Sequence, residues 1–307
     1  LTERRRHPIC RGMSLHSLLK KLPFGPWRNA GPLVSVVRLS GVIGAGGAFR
    51  PGLTLAALAP LLERAFAPKE QAAVALIVNS PGGSPVQSAL IAKRIRDLAE
   101  EKKLPVFAFC EDAAASGGYW LACAADEIWA DESSVLGSIG VVSSGFGLHD
   151  FIARHGVERR LYTAGENKVL LDPFSPERAD GVAHLKSLQA DVHDAFKALV
   201  RARRGARLTG SEEEIFSGAF WAGRKAKELG LIDGLGDLRG VLRGRFGEKV
   251  RLRVVEAERG WFRDKLGFRA ALPGAGMADA GAVLAEALPS AAVAAVEERL
   301  LWSRLGL

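Results

Sequence analysis

Cysteine is scarce: Cys10, Cys110 and Cys123 are too few and too irregularly spaced for a disulfide framework, and none belongs to a C-x-x-C pair that would suggest zinc or redox chemistry. Cys110 and Cys123 read instead as buried apolar fillers. No apolar run approaches the ~18 residues of a membrane-spanning helix, and Leu15–Leu22 is too short and too interrupted by His16, Lys20 and Lys21 to be a signal peptide. The chain also lacks a G-x-G-x-x-G fingerprint and a phosphate loop ending in lysine and a hydroxyl residue, so no nucleotide cofactor is expected, and no metal site either. No internal repeat occurs, and the first thirty residues contain a single acid, Glu3.

That shortage of acid leaves Arg4, Arg5, Arg6, Arg11, Lys20, Lys21 and Arg28 in a basic head, the main contributor to a net charge of +8. Residues 1–30 therefore read as a solvated, flexible arm. Its Met13–Trp27 portion has the leucines and cations of an interfacial helix that touches anionic lipid. No nucleic-acid reading motif accompanies the charge. The absences favour the cytoplasm, with peripheral contact to the inner membrane through the arm. With 48% hydrophobic residues in 307, there is ample material for a core.

Strand and helix patterns alternate after the head. Leu33–Leu39 is dense in β-branched residues, Leu53–Phe66 reads as a helix, and Ala72–Val78 is a continuous apolar run typical of a parallel strand covered on both faces. Leu90, Ile91, Ile95 and Leu98 fall at helical spacing before a strand from Leu104 to Phe109, and a buried helix is expected over Tyr119–Ala125. Short strands are expected at Glu127–Ala130, within Val135–Val142, and at Val157–Thr163, with a helix over Phe146–His155 between the last two. The longest helix is placed at Pro176–Arg204 after a Ser175 cap, with Arg201, Arg203, Arg204 and Arg207 at its dipole-favoured end. Phe216–Asp237 reads as a short helix, a strand and the start of another helix. Alternation of this kind predicts an α/β layer architecture. The division expected is an arm over 1–30, one catalytic domain over 31–258, and an alanine-rich helical extension over 259–307.

Two glycine-rich junctions carry the chemistry. Ser116 stands between three alanines and Gly117-Gly118, at the end of a strand and the start of a helix, where exposed backbone N–H groups stabilise negative charge. Asn79-Ser80-Pro81-Gly82-Gly83 ends an apolar strand and lets backbone N–H groups approach a ligand. A serine alcohol needs a base to become a nucleophile. Lys168 beside Val169-Leu170-Leu171 is one candidate, since an apolar site favours a neutral amine, and His149 with Asp172 is another.

Five ordered segments resemble one family, the S49 serine peptidases of the signal peptide peptidase A and SohB-like group: Asn79–Ser84, Ala114–Tyr119, Gly137–Val141, Gly165–Lys168 followed by Asp172-Pro173-Phe174, and Gly223–Ala226 with Leu229–Asp233. The resemblance runs from about Val34 to Leu242. It implies a ClpP/crotonase-type spiral of ββα units and a Ser-Lys dyad. Ser116 would be the nucleophile and Lys168, 52 positions on, the general base; Ser138 would orient the lysine, and Gly83 and Gly117 would supply the oxyanion-hole N–H groups. It further implies peptide substrates of hydrophobic or unfolded character and a homo-oligomer. Well-known members carry a membrane anchor or a second copy of the domain, and neither is seen in this chain. A crotonase-like acyl-thioester enzyme would need carboxylates near the glycine turn, where the polar residues are Ser84, Gln87 and Ser88; a non-catalytic scaffold is at odds with an intact dyad.

Overall fold

The computed structural model describes residues 31–44, 52–256, 295–296 and 298–307. The basic head lies outside these residues, as does most of the alanine-rich extension, of which 298–303 are helical.

The alternation expected from the apolar runs is observed. β1 (Leu33–Ser40), α1 (Leu55–Phe66), β2 (Gln71–Ser80), α2 (Pro85–Lys102), β3 (Val106–Ala115), α3 (Gly117–Ala122), β4 (Glu127–Ala130) and β5 (Val135–Gly137) follow in order. Next come α4 (His149–Arg154), α5 (Ala179–Arg204), α6 (Glu212–Ile215), β6 (Phe220–Ala222), α7 (Gly223–Glu228), β7 (Gly234–Leu235), α8 (Leu238–Phe246) and β8 (Arg251–Val254). The strands form one sheet in the order β6-β5-β3-β2-β1-β8, with β4 and β7 attached beside β3. Every pairing is parallel except β5 with β6.

The continuous apolar runs are explained by cover on both faces of this sheet. Val37, Leu39, Leu76 and Val78 face a large core shared with α1, α2, α3 and the end of α5. Val34, Val36, Ala73, Ala75, Phe107 and Phe109 face α8 through Leu242 and Phe246. Helix starts are marked by side chains: Thr54 accepts from the Ala57 N–H, Ser84 from that of Gln87, and Asp237 from those of Gly240 and Arg239. Those last two bonds hold the Asp237 carboxyl below the usual carboxylate range. Cys110 and Cys123 are buried as expected, and loss of water pushes both thiols up, Cys123 to about 12.

Three expectations change. Residues 157–163 form no strand: they have no ladder partner, and Val157, Leu161 and Tyr162 are exposed. α5 begins at Ala179 rather than Pro176, because Ser175 turns its hydroxyl to the Asp172 carboxylate, 2.9 Å away, instead of capping the helix. The arginines ending α5 do more than meet a dipole. Arg203 donates to the carbonyls of Cys123 and Ala125, and Arg204, 2% exposed, donates to the Gly230 carbonyl and pairs with Asp233 at 2.6 Å.

Arg204→Met therefore leaves a buried carbonyl and a largely buried carboxylate without their partner. Loss of one member of such a pair costs about 3–5 kcal/mol, here towards the lower end because Arg207 also approaches Asp233 at 3.4 Å. Urea unfolding is expected to show that loss with an unchanged m-value.

Candidate active site

β3 delivers Ser116 in an unusual way. It pairs with β4 over Phe107–Cys110 and then with β5 over Ala113–Ala115, so it changes neighbours midway. At its end Ser116 adopts φ 52°, ψ −121°, a conformation that non-glycine residues avoid at a cost of about 1–3 kcal/mol. The tight turn is held by the Ser116 N–H donating to the Gly137 carbonyl at 2.8 Å and by its carbonyl accepting from the Trp120 N–H at 3.0 Å. Ser116 consequently sits half-buried at the start of α3, its side chain making no capping bond to the helix.

The glycine turn meets this elbow directly. Gly82 and Gly83 have φ of 110° and 138°. Ile43 donates to the Gly82 carbonyl and accepts from the Ser84 N–H, both at 2.8 Å, which turns the Gly83 N–H away from Ile43, towards the β3 side of the sheet. Neither that N–H nor the Gly117 N–H at the start of α3 finds an acceptor among the described residues. A Cβ at Gly82 would lie 2.8 Å from the Ser116 Cβ and 3.0 Å from the Gly117 nitrogen, so the two donor segments pack backbone to backbone. Backbone N–H groups without an acceptor, on segments packed beside a serine, are the type of donor that can receive an oxyanion.

Ser138 stands just beyond β5, also with positive φ (52°), its N–H bonded to the Ala219 carbonyl at 2.7 Å. Through Gly137 it joins Ser116 in one backbone unit. Lys168 does not join them. It lies exposed in a turn over 165–171, its N–H bonded to the Gly165 carbonyl, and among the described residues no hydrogen bond links its amine to Ser116 or Ser138. The 146–178 segment instead closes on itself. Leu148 bonds Pro173, and Arg159 pairs with Asp172 and lies over Phe174. A cavity of about 230 Å³ lies between His149, Val157, Phe174 and Pro176. Desolvation raises the Asp172 carboxyl, but hydrogen bonds from Ser175, Arg159 and the Phe174 N–H outweigh it and hold the group below its usual range. His149 faces Asp150 at 3.2 Å, so the alternative His149–Asp172 pair is not assembled.

A mostly parallel α/β sheet whose carboxyl edge holds a strained serine packed against a glycine turn is the candidate site. The comparisons give the family. The model of Peptidase family S49 matches residues 98–245. A putative protease of Synechocystis is 30% identical over 194 residues, 61% of this chain and 69% of that protein. A putative signal peptide peptidase SppA of Enterococcus faecium is 35% identical over 167 residues, 53% of this chain and 47% of that one. A Brucella abortus protein called Na(+)/H(+) antiporter NhaA is 50% identical over 299 residues, 96% of this chain but 40% of its own length. The chain belongs to peptidase family S49, and the fold is the ClpP/crotonase-like one of that family. It spans less than half of the antiporter-named relative, and among the described residues no helix is long and apolar enough to cross a membrane.

Residue reading alone missed the midway change of neighbours in β3 and the strain at Ser138. A signal was present for the first, since Glu111-Asp112 interrupts an otherwise apolar strand.

Gly83→Ala would set a Cβ 2.0 Å from the Ile43 carbonyl oxygen at a φ that L-residues avoid, and is expected to destabilise by at least about 2 kcal/mol. Gly244→Ala, in α8 with open space around it, is expected to stabilise by about 0.5–1 kcal/mol. Thermal unfolding of the two variants checks the contrast.

Proposed function

We propose that this chain is a serine endopeptidase in which Ser116 and Lys168 act as a dyad on hydrophobic or unfolded peptides. The observation that carries the reading is Ser116 itself, forced into a strained elbow packed against the glycine turn, with no acceptor bonded to the Gly83 or Gly117 N–H among the described residues. In the first step the neutral Lys168 amine takes the Ser116 proton as Oγ bonds to the peptide carbonyl carbon, and the carbonyl oxygen, now negative, is received by the two N–H groups. The C–N bond then breaks, with the proton passing from Lys168 to the leaving amine. Lys168 next takes a proton from water, whose oxygen attacks the acyl carbon, and Ser116 regains its proton as it leaves. Ser138 acts by orienting the lysine. No cofactor enters this scheme.

The same reading accounts for the uncovered segment. Val142, Phe146, Phe151, Val157, Leu161, Tyr162 and Leu171 are exposed on the stretch that carries Lys168. Apolar area of this kind is characteristic of an interaction surface. Assembly of copies of the chain supplies its cover and removes water from the lysine, which a basic amine needs. The apolar rim also suits extended hydrophobic peptides such as remnants of signal peptides, the substrate class named by the Enterococcus relative.

Hydrolysis of a hydrophobic fluorogenic peptide is expected to fall at least about 10³-fold in both Ser116→Ala and Lys168→Ala, as removal of a nucleophile or its base does elsewhere. A Lys168→Ala protein that keeps wild-type hydrolysis would overturn the dyad. Phe146→Ser with Tyr162→Ser is expected to shift sedimentation towards smaller species and to lower activity in parallel; unchanged sedimentation argues against the assembly.

A further inference from the structure

We infer that Asn79 and Asp112 are positioning residues: a side-chain bridge between them sets how far the end of β3 stands from the glycine turn. The inference rests on the peptidase reading for its effect on rate, though not for its geometry.

The parallel register between β2 and β3 is not constant. Val78 lies opposite Cys110, whereas Ser80 lies opposite Ala114. One residue of β2, Asn79, therefore faces three of β3, Glu111, Asp112 and Ala113. A strand rises about 3.3 Å per residue, so those two extra residues change the level of the end of β3 against β2 by roughly 6–7 Å. Because two residues are inserted rather than one, side-chain alternation survives. Ala114 still faces the main core, and Ala113 and Ala115 still face the opposite side.

Bulged backbone loses its regular ladder bonds, and here one side chain replaces them. The Asn79 side-chain oxygen accepts from the Ala113 N–H at 3.2 Å, and its NH₂ donates to the Asp112 carboxylate at 2.7 Å. Its own backbone carbonyl remains in use, accepting from the Gly41 N–H at 2.9 Å. Glu111 is engaged separately by Arg38 of β1. Three residues beyond Ala113 is Ser116, and three beyond Asn79 is Gly82, which pack so closely that a Cβ on Gly82 would lie 2.8 Å from that of Ser116. The bridge thus spans the base of the two segments that must hold nucleophile and oxyanion donor in register. A side-chain amide meets both demands at once, its oxygen accepting while its NH₂ donates.

Placement errors of about 1 Å at a reacting centre cost up to about 10²-fold in rate. Asn79→Ala and Asn79→Asp are accordingly expected to lower kcat about 10–100-fold while KM stays within about twofold, since the peptide-binding surface is untouched. Asp112→Asn keeps an acceptor for the Asn79 amide and is expected to retain kcat within about threefold, whereas Asp112→Ala is not. Hydrogen exchange at the Ala113 amide supplies a readout independent of hydrolysis and is expected to speed up in Asn79→Ala with the melting temperature held within a few degrees. Asn79→Ala that folds with wild-type kcat and an unchanged Ala113 exchange rate overturns the proposal. So does an Asp112→Asn protein as impaired as Asp112→Ala, which also decides the matter should Asn79→Ala fail to fold. If wild-type hydrolysis does not depend on Ser116, the peptidase reading fails instead, and the exchange rate alone decides whether the bridge exists.

Discussion

The site depends on two backbone segments meeting with no side chains between them. Gly82 lies against Ser116, a Cβ on Gly118 would reach within 2.4 Å of the Ser80 carbonyl oxygen, and one on Gly117 within 2.5 Å of the Ser88 hydroxyl. Steric room of this size exists only where glycine stands, and it is what allows the main chains of the two segments to approach each other. Side-chain donors would add rotamer freedom that has to be lost on binding; backbone donors anchored in a sheet are already ordered.

That order comes from the sheet beneath. β1, β2 and β3 are apolar on both faces and covered by α1, α2 and α3 on one side and α8 on the other. Their carboxyl ends are therefore held by packing across the whole layer. The strained torsions of Ser116 and Ser138 persist because the surrounding bonds to Gly137, Trp120 and Ala219 leave them no relaxed alternative. The segment bearing Lys168 is built differently. It is tied by its own contacts, Arg159 with Asp172 and Leu148 with Pro173, and exposes large apolar side chains. The layer holds Ser116 and the glycine turn, and the segment over 146–178 carries Lys168, so the residues of the proposed chemistry sit on parts with different packing.

Much of the layer was legible in residue order. Ala72–Val78 is apolar without alternation, which only a strand covered on both faces tolerates, and the turn after it is marked by Pro81-Gly82-Gly83. The strand expected at Val157–Thr163 was misread because β-branched and aromatic residues signal a half-buried surface rather than a ladder partner, and here no strand lies beside it. The helix expected from Pro176 begins later because Ser175 bonds Asp172, a choice that depends on the fold of the 146–178 segment and not on local capping preference. The arginines at the end of α5 looked like dipole partners. In the fold Arg203 and Arg204 reach carbonyls and carboxylates 26 or more residues away in the chain.

By itself the residue order determined the elements and the chemistry on offer: buried parallel strands from continuous apolar runs, a serine among small neighbours at a strand-to-helix junction, and a glycine turn able to present N–H groups. These are local properties, decided by side-chain size, polarity and the torsions that glycine permits. Only the tertiary structure decided how these parts stand relative to each other. The two-residue offset between β2 and β3, the change of β3 from β4 to β5, and the orientation of the Gly83 N–H towards the β3 side all arise from pairing between residues distant in the chain, as Phe107 with Glu127, Ala113 with Val135, Val78 with Cys110 and Ile43 with Gly83. Such pairing depends on which hydrogen bonds remain open once neighbouring strands have packed, and no stretch of sequence read alone contains that information.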